Sequence, residues 1–258
     1  MNSDTQYATD NNLATRIAFH EKYTVPYIDF SKWVFDQISF EPHQRVLELG
    51  CGNGEFWVQN ADRLPVGIDL TLTDVSQGMA DIASSRISEA GVEANCQVAS
   101  ANELPFDEDE FDIIIAKHML YHVADRPGAL SQIKKLLKSG GFFCASTNST
   151  SYMNSIYELL GEANQRWITG EASAFTTENG AEQLSPFFES VEERILESEL
   201  KVTDATAVIE YIGSLATLFA NPEHVLEVAQ QNEEKVSNKI FERGVFSISK
   251  MSGLFLCR

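Results

Sequence analysis

Gly50, Gly52 and Gly54 alternate with Cys51 and Asn53 in a single short turn. The turn follows the apolar run Arg45-Val-Leu-Glu-Leu49 and leads into Glu55-Phe-Trp-Val58. A strand, a glycine turn and a helix in that order let main chain approach a ligand closely, because glycine turns sharply and carries no Cβ to clash. Ligands of open α/β sheets bind at the carboxyl ends of the strands, so an adenosine-containing cofactor would lie against this turn. The spacing narrows the choice. A dinucleotide fingerprint wants glycines at i, i+2 and i+5, and the fifth residue after Gly50 is Glu55. A carboxylate there would also repel a pyrophosphate at the helix N-terminus. No GxxxxGK[ST] loop occurs, so a nucleoside triphosphate is not indicated. A phosphate-free adenosine ligand fits best.

Asp74 ends the next apolar run, 24 residues beyond Gly50. A carboxylate at that place accepts two hydrogen bonds from ribose hydroxyls. The competing reading makes it an acid at the start of the helix that Ser76 caps. His118 and His122 stand at i and i+4, which would share a helix face. Without HExxH and without a third ligand at diagnostic spacing, no metal is expected. Either histidine is a candidate general base, since imidazole titrates near neutrality; packing is the alternative. Cys51 would sit at a helix N-terminus, where thiol pKa values fall.

The elements that must position these groups alternate. Strand patterns at 45–49, 67–73, 94–99, 111–116 and 141–147 are interleaved with helical patterns at 76–90 and 125–138. Such alternation implies parallel βαβ units with right-handed crossovers, hence a doubly wound α/β sheet with helices on both faces. Ahead of it, aromatic-rich helices are expected at 12–20 and 27–40, so residues 1–40 form an N-terminal helical segment. Beyond residue 150 the pattern predicts helices at 153–163 and 177–187, the latter broken at Pro186, and a strand at 191–202. Two helices at 204–219 and 222–239 then form an insertion of about residues 203–243 before a last strand at 245–257.

The 258 residues carry a formal charge of −19 and no run of Lys or Arg, which argues against nucleic acid and anionic lipid as partners. No basic-then-apolar leader and no apolar run of about 18 residues occurs, so neither secretion nor membrane spanning is expected. The four cysteines are scattered without a CxxC pair, as suits reduced thiols in the cytoplasm.

Four segments in order carry a resemblance: Glu48-Leu-Gly-Cys-Gly-Asn-Gly54, Leu72-Thr-Asp-Val-Ser76, Leu104-Pro-Phe106 ahead of Phe111-Asp-Ile-Ile114, and Leu136-Leu-Lys-Ser-Gly-Gly141. Residues 40–150 thereby resemble the class I S-adenosylmethionine-dependent methyltransferases, in the small-molecule branch often called methyltransferase type 11. The resemblance implies a mostly parallel seven-stranded sheet in the order 3-2-1-4-5-7-6, with an antiparallel last strand, in a cofactor-binding domain spanning 41–258. It implies S-adenosylmethionine as cofactor and in-line methyl transfer to a small-molecule acceptor. Carried over residue by residue, Gly50, Cys51 and Gly52 would contact the methionine part, Cys51 through its backbone. Glu48 would hold the amino end and Asp74 the ribose, while Val75 and Met79 would flank the adenine. Ser100 and Ala101 would pass the adenine edge, although many relatives carry Asp where Ser100 stands. Lys117 would line the methionine side. An N-terminal lid is common among similar enzymes, so the stretch from Tyr7 to Tyr27 and the two helices between Val202 and Val245 are the candidates to enclose the acceptor, with Tyr7, Arg16, His20 and Tyr23 as binding residues and packing onto the sheet as their alternative role. The family's nucleobase-amine signature [ND]-P-P-[YF] would fall on Ala116-Lys-His-Met119, which again favours a small acceptor. Another group transfer on the same cofactor, and a non-catalytic binding module, stay open as alternatives.

Overall fold

A computed structural model describes residues 10–161, 173–219 and 221–258. Helix α1 (Asp10–Tyr23) runs into the short strand β1 (Thr24–Val25), and α2 (Phe30–Asp36) precedes β2 (Arg45–Leu49). The glycine turn enters the single-turn helix α3 (Glu55–Val58), followed by β3 (Asp69–Asp74), α4 (Gln77–Glu89), β4 (Asn95–Val98) and β5 (Phe111–Lys117). Next come α5 (Arg126–Leu136), β6 (Leu137–Asn148), α6 (Asn154–Leu160), α7 (Thr177–Leu184), β7 (Val191–Leu196) and β8 (Glu199–Val202). The chain closes with α8 (Ala205–Leu215), α9 (Pro222–Gln231), α10 (Glu233–Arg243), β9 (Phe246–Ser249) and β10 (Ser252–Cys257). Side-chain caps set several of these boundaries. Ser76 accepts from the Met79 amide at the start of α4, and Asp125 accepts from the Gly128 amide at the start of α5.

Two compact units divide the chain. One comprises residues 28–149, 174–195 and 252–258 and contains the seven-stranded sheet, in the order β4-β3-β2-β5-β6-β10-β7. The β4–β3, β3–β2, β2–β5 and β5–β6 pairs are parallel, and β10 runs antiparallel to β6. Numbered within this sheet alone, the order is the expected 3-2-1-4-5-7-6. Its central strands are apolar on both faces, as a sheet covered by helices on each side requires. Leu47, Leu49, Ile114 and Phe143 pack with Ala129, Leu130 and Ile133 of α5 and with Leu184 of α7. Val46, Ile113, Ile115 and Cys144 point the other way, into Val34 and Phe35 of α2, Phe56 and Trp57 of α3, and Ala83 and Ile87 of α4.

The other unit comprises 1–27, 150–173 and 196–251. Within its described residues, β1, β8 and β9 form a three-stranded antiparallel sheet. A separate core joins Phe19 of α1, Ile156 of α6, Leu200 and Val202 of β8, Val208 and Ile212 of α8, and Ile248 of β9. Residues 191–202 and 245–257, each expected as one strand, are therefore two strands apiece in different sheets. The helix expected at 222–239 is likewise two. Asn232 ends α9 and turns its amide Nδ2 onto the carbonyls of Val228 and Leu159 at 2.9 and 3.0 Å. The helix expected at 27–40 is shortened to α2 because Asp29 caps it, its Oδ1 accepting from the Lys32 amide at 3.0 Å. Among the described residues no helix is long and apolar enough to cross a membrane.

Gly180 in α7 faces the ring of Phe255 in β10, and a Cβ there would fall 2.3 Å from Cε2. Phe255 is fully buried and has no room to withdraw. Gly180→Ala should lower stability by about 1–3 kcal/mol, as overpacking a closed core does, and urea unfolding will measure it.

Candidate functional site

The parallel register brings the chemistry together. Leu49 pairs with Thr73 and with Ala116, Asp74 pairs with Val98, and Lys117 pairs with Ser146. The turns leaving β2, β3, β4 and β5 thus emerge at one edge of the sheet, its carboxyl end, and these turns carry the expected cofactor residues.

The glycine turn is built on left-handed backbone, with φ of 64°, 55° and 73° at Gly50, Gly52 and Gly54. At Gly54 a Cβ would come within 2.8 Å of Ile87 Cδ1 and 3.3 Å of Ala83 Cα, so glycine lets α4 pack against the turn. At Gly52 a Cβ would meet nothing within 4 Å, and the turn faces open space there. Two bonds fasten the turn to the neighbouring strand. The Cys51 amide donates to the Thr73 carbonyl at 2.9 Å, and the Gly52 amide donates to Asp74 Oδ2 at 3.0 Å. The other carboxylate oxygen of Asp74 accepts from the Ser76 amide at 2.9 Å. Each oxygen retains a lone pair, so Asp74 is oriented by the protein and still able to accept from a diol. It serves the start of α4 and the open edge together; the two readings of this residue are not exclusive.

Glu48 projects from β2 with 1% exposure, a rare placement for a carboxyl group. Its Oε2 accepts from the Trp57 indole at 2.6 Å, while Oε1 is buried without a partner. Burial pushes its pKa up to about 7, against the pull of the Lys117 ammonium and the indole bond, with Asp74 adding to the rise. A buried oxygen that lacks a donor, beside a held carboxylate and an open glycine turn, suits a ligand that carries an ammonium and a diol. The Lys117 ammonium lies 5.3 Å from the centre of the Phe56 ring. Val75 is 69% exposed, Met79 is half-buried and Ala101 is buried. Ser100 turns the chain back, its carbonyl accepting from Glu103 and its hydroxyl from Asn102 at 2.9 and 3.3 Å.

Three expectations change. His118 and His122 do not share a helix face, because His118 adopts φ of 52° at the end of β5 and His122 belongs to a 3-10 turn. Ser146 holds the kink by accepting the His118 amide through both its carbonyl and its hydroxyl, at 3.1 and 3.2 Å. The His118 ring packs 4.8 Å from Phe30, and burial and then the Lys117 charge push its pKa down to about 3. A base must gain a proton, and this environment opposes that; packing is the better account of His118. His122 is exposed, its ring 4.5 Å from that of Tyr121. Second, the Cys51 thiol is pushed up rather than down, chiefly by burial and then by Glu48 and Asp74. It donates to the Gly52 carbonyl at 3.6 Å and is no nucleophile. Third, Glu55 is paired with Arg86, which also reaches the Asn53 carbonyl at 3.4 Å, so its charge is largely offset. What disfavours a pyrophosphate is that α3 is a single turn, with little dipole to offer.

Arg16, His20 and Tyr23 lie on α1, in the other compact unit, and Tyr7 lies outside the described residues. The Arg16 Nε donates to the Asn12 carbonyl at 3.2 Å. His20 shares a 3.3 Å hydrogen bond with the Tyr211 hydroxyl, and burial, then Lys250 and Arg16, push its pKa down to about 4. Tyr23 is a core residue at 5% exposure. Among the described residues no three His, Cys, Asp or Glu side chains gather as a metal site would require. Sequence reasoning missed Trp57, Ser146 and Met119, whose side chain packs beside Gly50. Trp57 could have been noticed as a polar-tipped residue in a helix otherwise expected to be apolar.

The Glu48 carboxyl, at about 7 in the folded protein against an ordinary 4.5, holds its proton more tightly when folded. Stability is therefore present at low pH and falls as pH rises from about 4.5 to about 7. Glu48→Gln should remove that fall and stabilise the ligand-free protein above neutrality, by on the order of 3 kcal/mol. Denaturant melts at several pH values will show it; a wild-type and variant difference that does not change with pH would contradict the assignment.

Comparison with known proteins supports the fold. Residues 47–145 match the methyltransferase domain family. A ubiquinone/menaquinone biosynthesis C-methyltransferase of Vibrio vulnificus is 31% identical over 114 residues, which are 43% of this chain and 44% of the relative. The chain thus spans less than half the length of that relative. A Bacillus halodurans protein of known structure covers 89% of this chain and 98% of its own at a TM-score of 0.64 and 14% identity. A phosphoethanolamine N-methyltransferase of Haemonchus contortus, solved with phosphomonomethylethanolamine and S-adenosylhomocysteine, covers 98% of this chain and 58% of its own at a TM-score of 0.57 and 15% identity. Sheet order, glycine turn and family match converge: residues 47–145 match the methyltransferase domain family, and the sheet that contains them has the strand order that the resemblance to class I S-adenosylmethionine-dependent methyltransferases implies.

Proposed function

We propose that this protein binds S-adenosylmethionine at the carboxyl edge of its seven-stranded sheet and transfers the methyl group to a small-molecule acceptor. One observation carries the reading. The open glycine turn at Gly52, the Asp74 carboxylate held by two amides and the unpartnered Oε1 of Glu48 stand at the ends of adjacent strands. Bound there, the cofactor would supply an electrophilic methyl on a sulfonium sulfur, open to in-line displacement. The chain's own part is to bind and orient. Asp74 would take the ribose hydroxyls and Glu48 the ammonium, while Gly50, Cys51 and Gly52 present main chain. Val75 and Met79 offer apolar surface to the adenine, and Ser100 and Ala101 pass its edge. Lys117 lines the methionine side. Alignment and exclusion of water account for most of such catalysis, so a nucleophilic acceptor needs no base.

Relatives named for quinone and phosphoethanolamine chemistry support a small acceptor, as does the formal charge of −19, which repels polyanions. Four free, scattered cysteines support a cytoplasmic enzyme.

Asp74→Ala should weaken S-adenosylhomocysteine binding about ten- to a hundredfold, the loss of charge-assisted bonds worth roughly 1.5–3 kcal/mol. Calorimetry on the folded variant measures this, and an unchanged affinity would remove Asp74 from the site. S-adenosylmethionine and S-adenosylhomocysteine should raise the melting temperature, whereas NAD, FAD and ATP should not. Comparable stabilisation by any of the three phosphate-bearing ligands counts against the pocket assigned here. Mass spectrometry of products from a panel of small hydroxyl, amine and carbon acceptors then separates methyl transfer from transfer of a larger group or from binding without turnover.

A further inference from the structure

The indole of Trp57 belongs to none of the groups so far given a role at the site, yet it makes the one hydrogen bond recorded for the Glu48 side chain among the described residues. The residue is fully buried in α3, whose first turn is closed by its amide donating to the Gly54 carbonyl at 3.1 Å. Phe56 and Phe40 confine the ring, with edge contacts at centroid distances of 4.9 and 5.9 Å. An indole N–H only donates, so it can hold an acceptor and nothing else. It takes Oε2 at 2.6 Å and leaves Oε1 buried and unpartnered on the same carboxyl group.

We propose that Trp57 is the positioning residue of the cofactor site, clamping one oxygen of Glu48 so that the other is presented as a carboxylate to the ammonium group of the methionine moiety. The inference rests on the reading of this edge as a S-adenosylmethionine site and adds to it a residue that never touches the ligand. A donor bound to the ionised form favours that form, and here it opposes the cost of burial. The other groups acting on Glu48 come from every neighbouring strand. Lys117 on β5 favours the ionised form, and Asp74 at the end of β3 disfavours it. The thiols of Cys51, Cys96 on β4 and Cys144 on β6 are all pushed up and stay neutral. Among the described residues the favourable partners are thus the Lys117 ammonium and the indole. Loss of the indole donor leaves Lys117 alone, and the carboxyl then ionises only at higher pH. A ligand ammonium must wait for that ionisation or displace the proton itself.

The test is S-adenosylhomocysteine affinity by calorimetry between about pH 5.5 and pH 9, for wild type, Trp57→Phe, Glu48→Gln and the double variant. Wild-type affinity should rise through a midpoint near neutrality, and Trp57→Phe should move that midpoint up by about one unit, weakening binding near pH 7 about fivefold. Glu48→Gln should flatten the profile, and adding Trp57→Phe to it should leave the profile flat. A tryptophan that merely fills the core would change the melting temperature without moving the midpoint, and an unmoved midpoint overturns the proposal. Failure of the wild type to bind at all would instead overturn the site itself. If Trp57→Phe does not fold, the indole proton resonance of Trp57 is followed in wild type, assigned by substituting Trp33 and Trp167 with Phe. It should titrate with the same midpoint as the ligand affinity; an indole signal indifferent to pH would refute the clamp.

Discussion

Two main-chain amide hydrogen bonds fix the place of everything else at the carboxyl edge of the sheet. The Cys51 amide on the Thr73 carbonyl continues the β2–β3 ladder one step past the strand end, and the Gly52 amide on Asp74 ties the turn to the next loop. Without them the three left-handed residues of the glycine turn would be a loose loop, and Asp74 would be one more exposed carboxylate. With them, β2 and β3 end in one braced corner. Because β2 is also in parallel register with β5, Lys117 is drawn to the same corner. The ladder of the sheet is thus converted directly into the geometry of the site.

Charge then does at short range the opposite of what it does over the whole molecule. Over the whole chain the formal charge is −19, whereas in the corner a buried carboxyl, a carboxylate and an ammonium are balanced against one another. Burying Glu48 is unfavourable in isolation, since a carboxylate out of water without full hydrogen bonding is strongly disfavoured. Its one unpartnered oxygen is the kind of local defect that a folded core removes unless a ligand completes it. The same low-polarity surroundings silence the nearby nucleophiles: Cys51 is kept as a thiol and His118 as a neutral ring. Neither of these two side chains is an activated nucleophile in this setting.

The second unit follows a different logic. Its strands and helices are drawn from three separated stretches of chain, and its core of aromatic and aliphatic side chains is its own. The chain leaves the large sheet after β6 and again after β7, and returns to it at α7 and at β10. Each of the two stretches 191–202 and 245–257 serves both units by changing sheets partway along. Ser198 and Lys250 lie at these changes, and the Ser198 hydroxyl donates to the Lys250 carbonyl at 3.0 Å.

The sequence alone determined the large sheet, because buried parallel strands separated by capped helices leave a period and punctuation that few other folds share. It also determined the glycine turn and Asp74, since left-handed backbone and a carboxylate at a strand end are set by local residue type. Only the tertiary structure decided that 191–202 and 245–257 each split between sheets, because a period of two does not say which partner a strand finds. It alone decided that His118 leaves β5 in a left-handed kink, which Ser146 holds from 28 residues away. And it alone decided the state of Glu48 and the use of Trp57, because a pKa and a hydrogen-bond partner depend on the depth of burial and the neighbours across strands. These are fixed by the packing of elements, and the order of residues along one of them does not contain them.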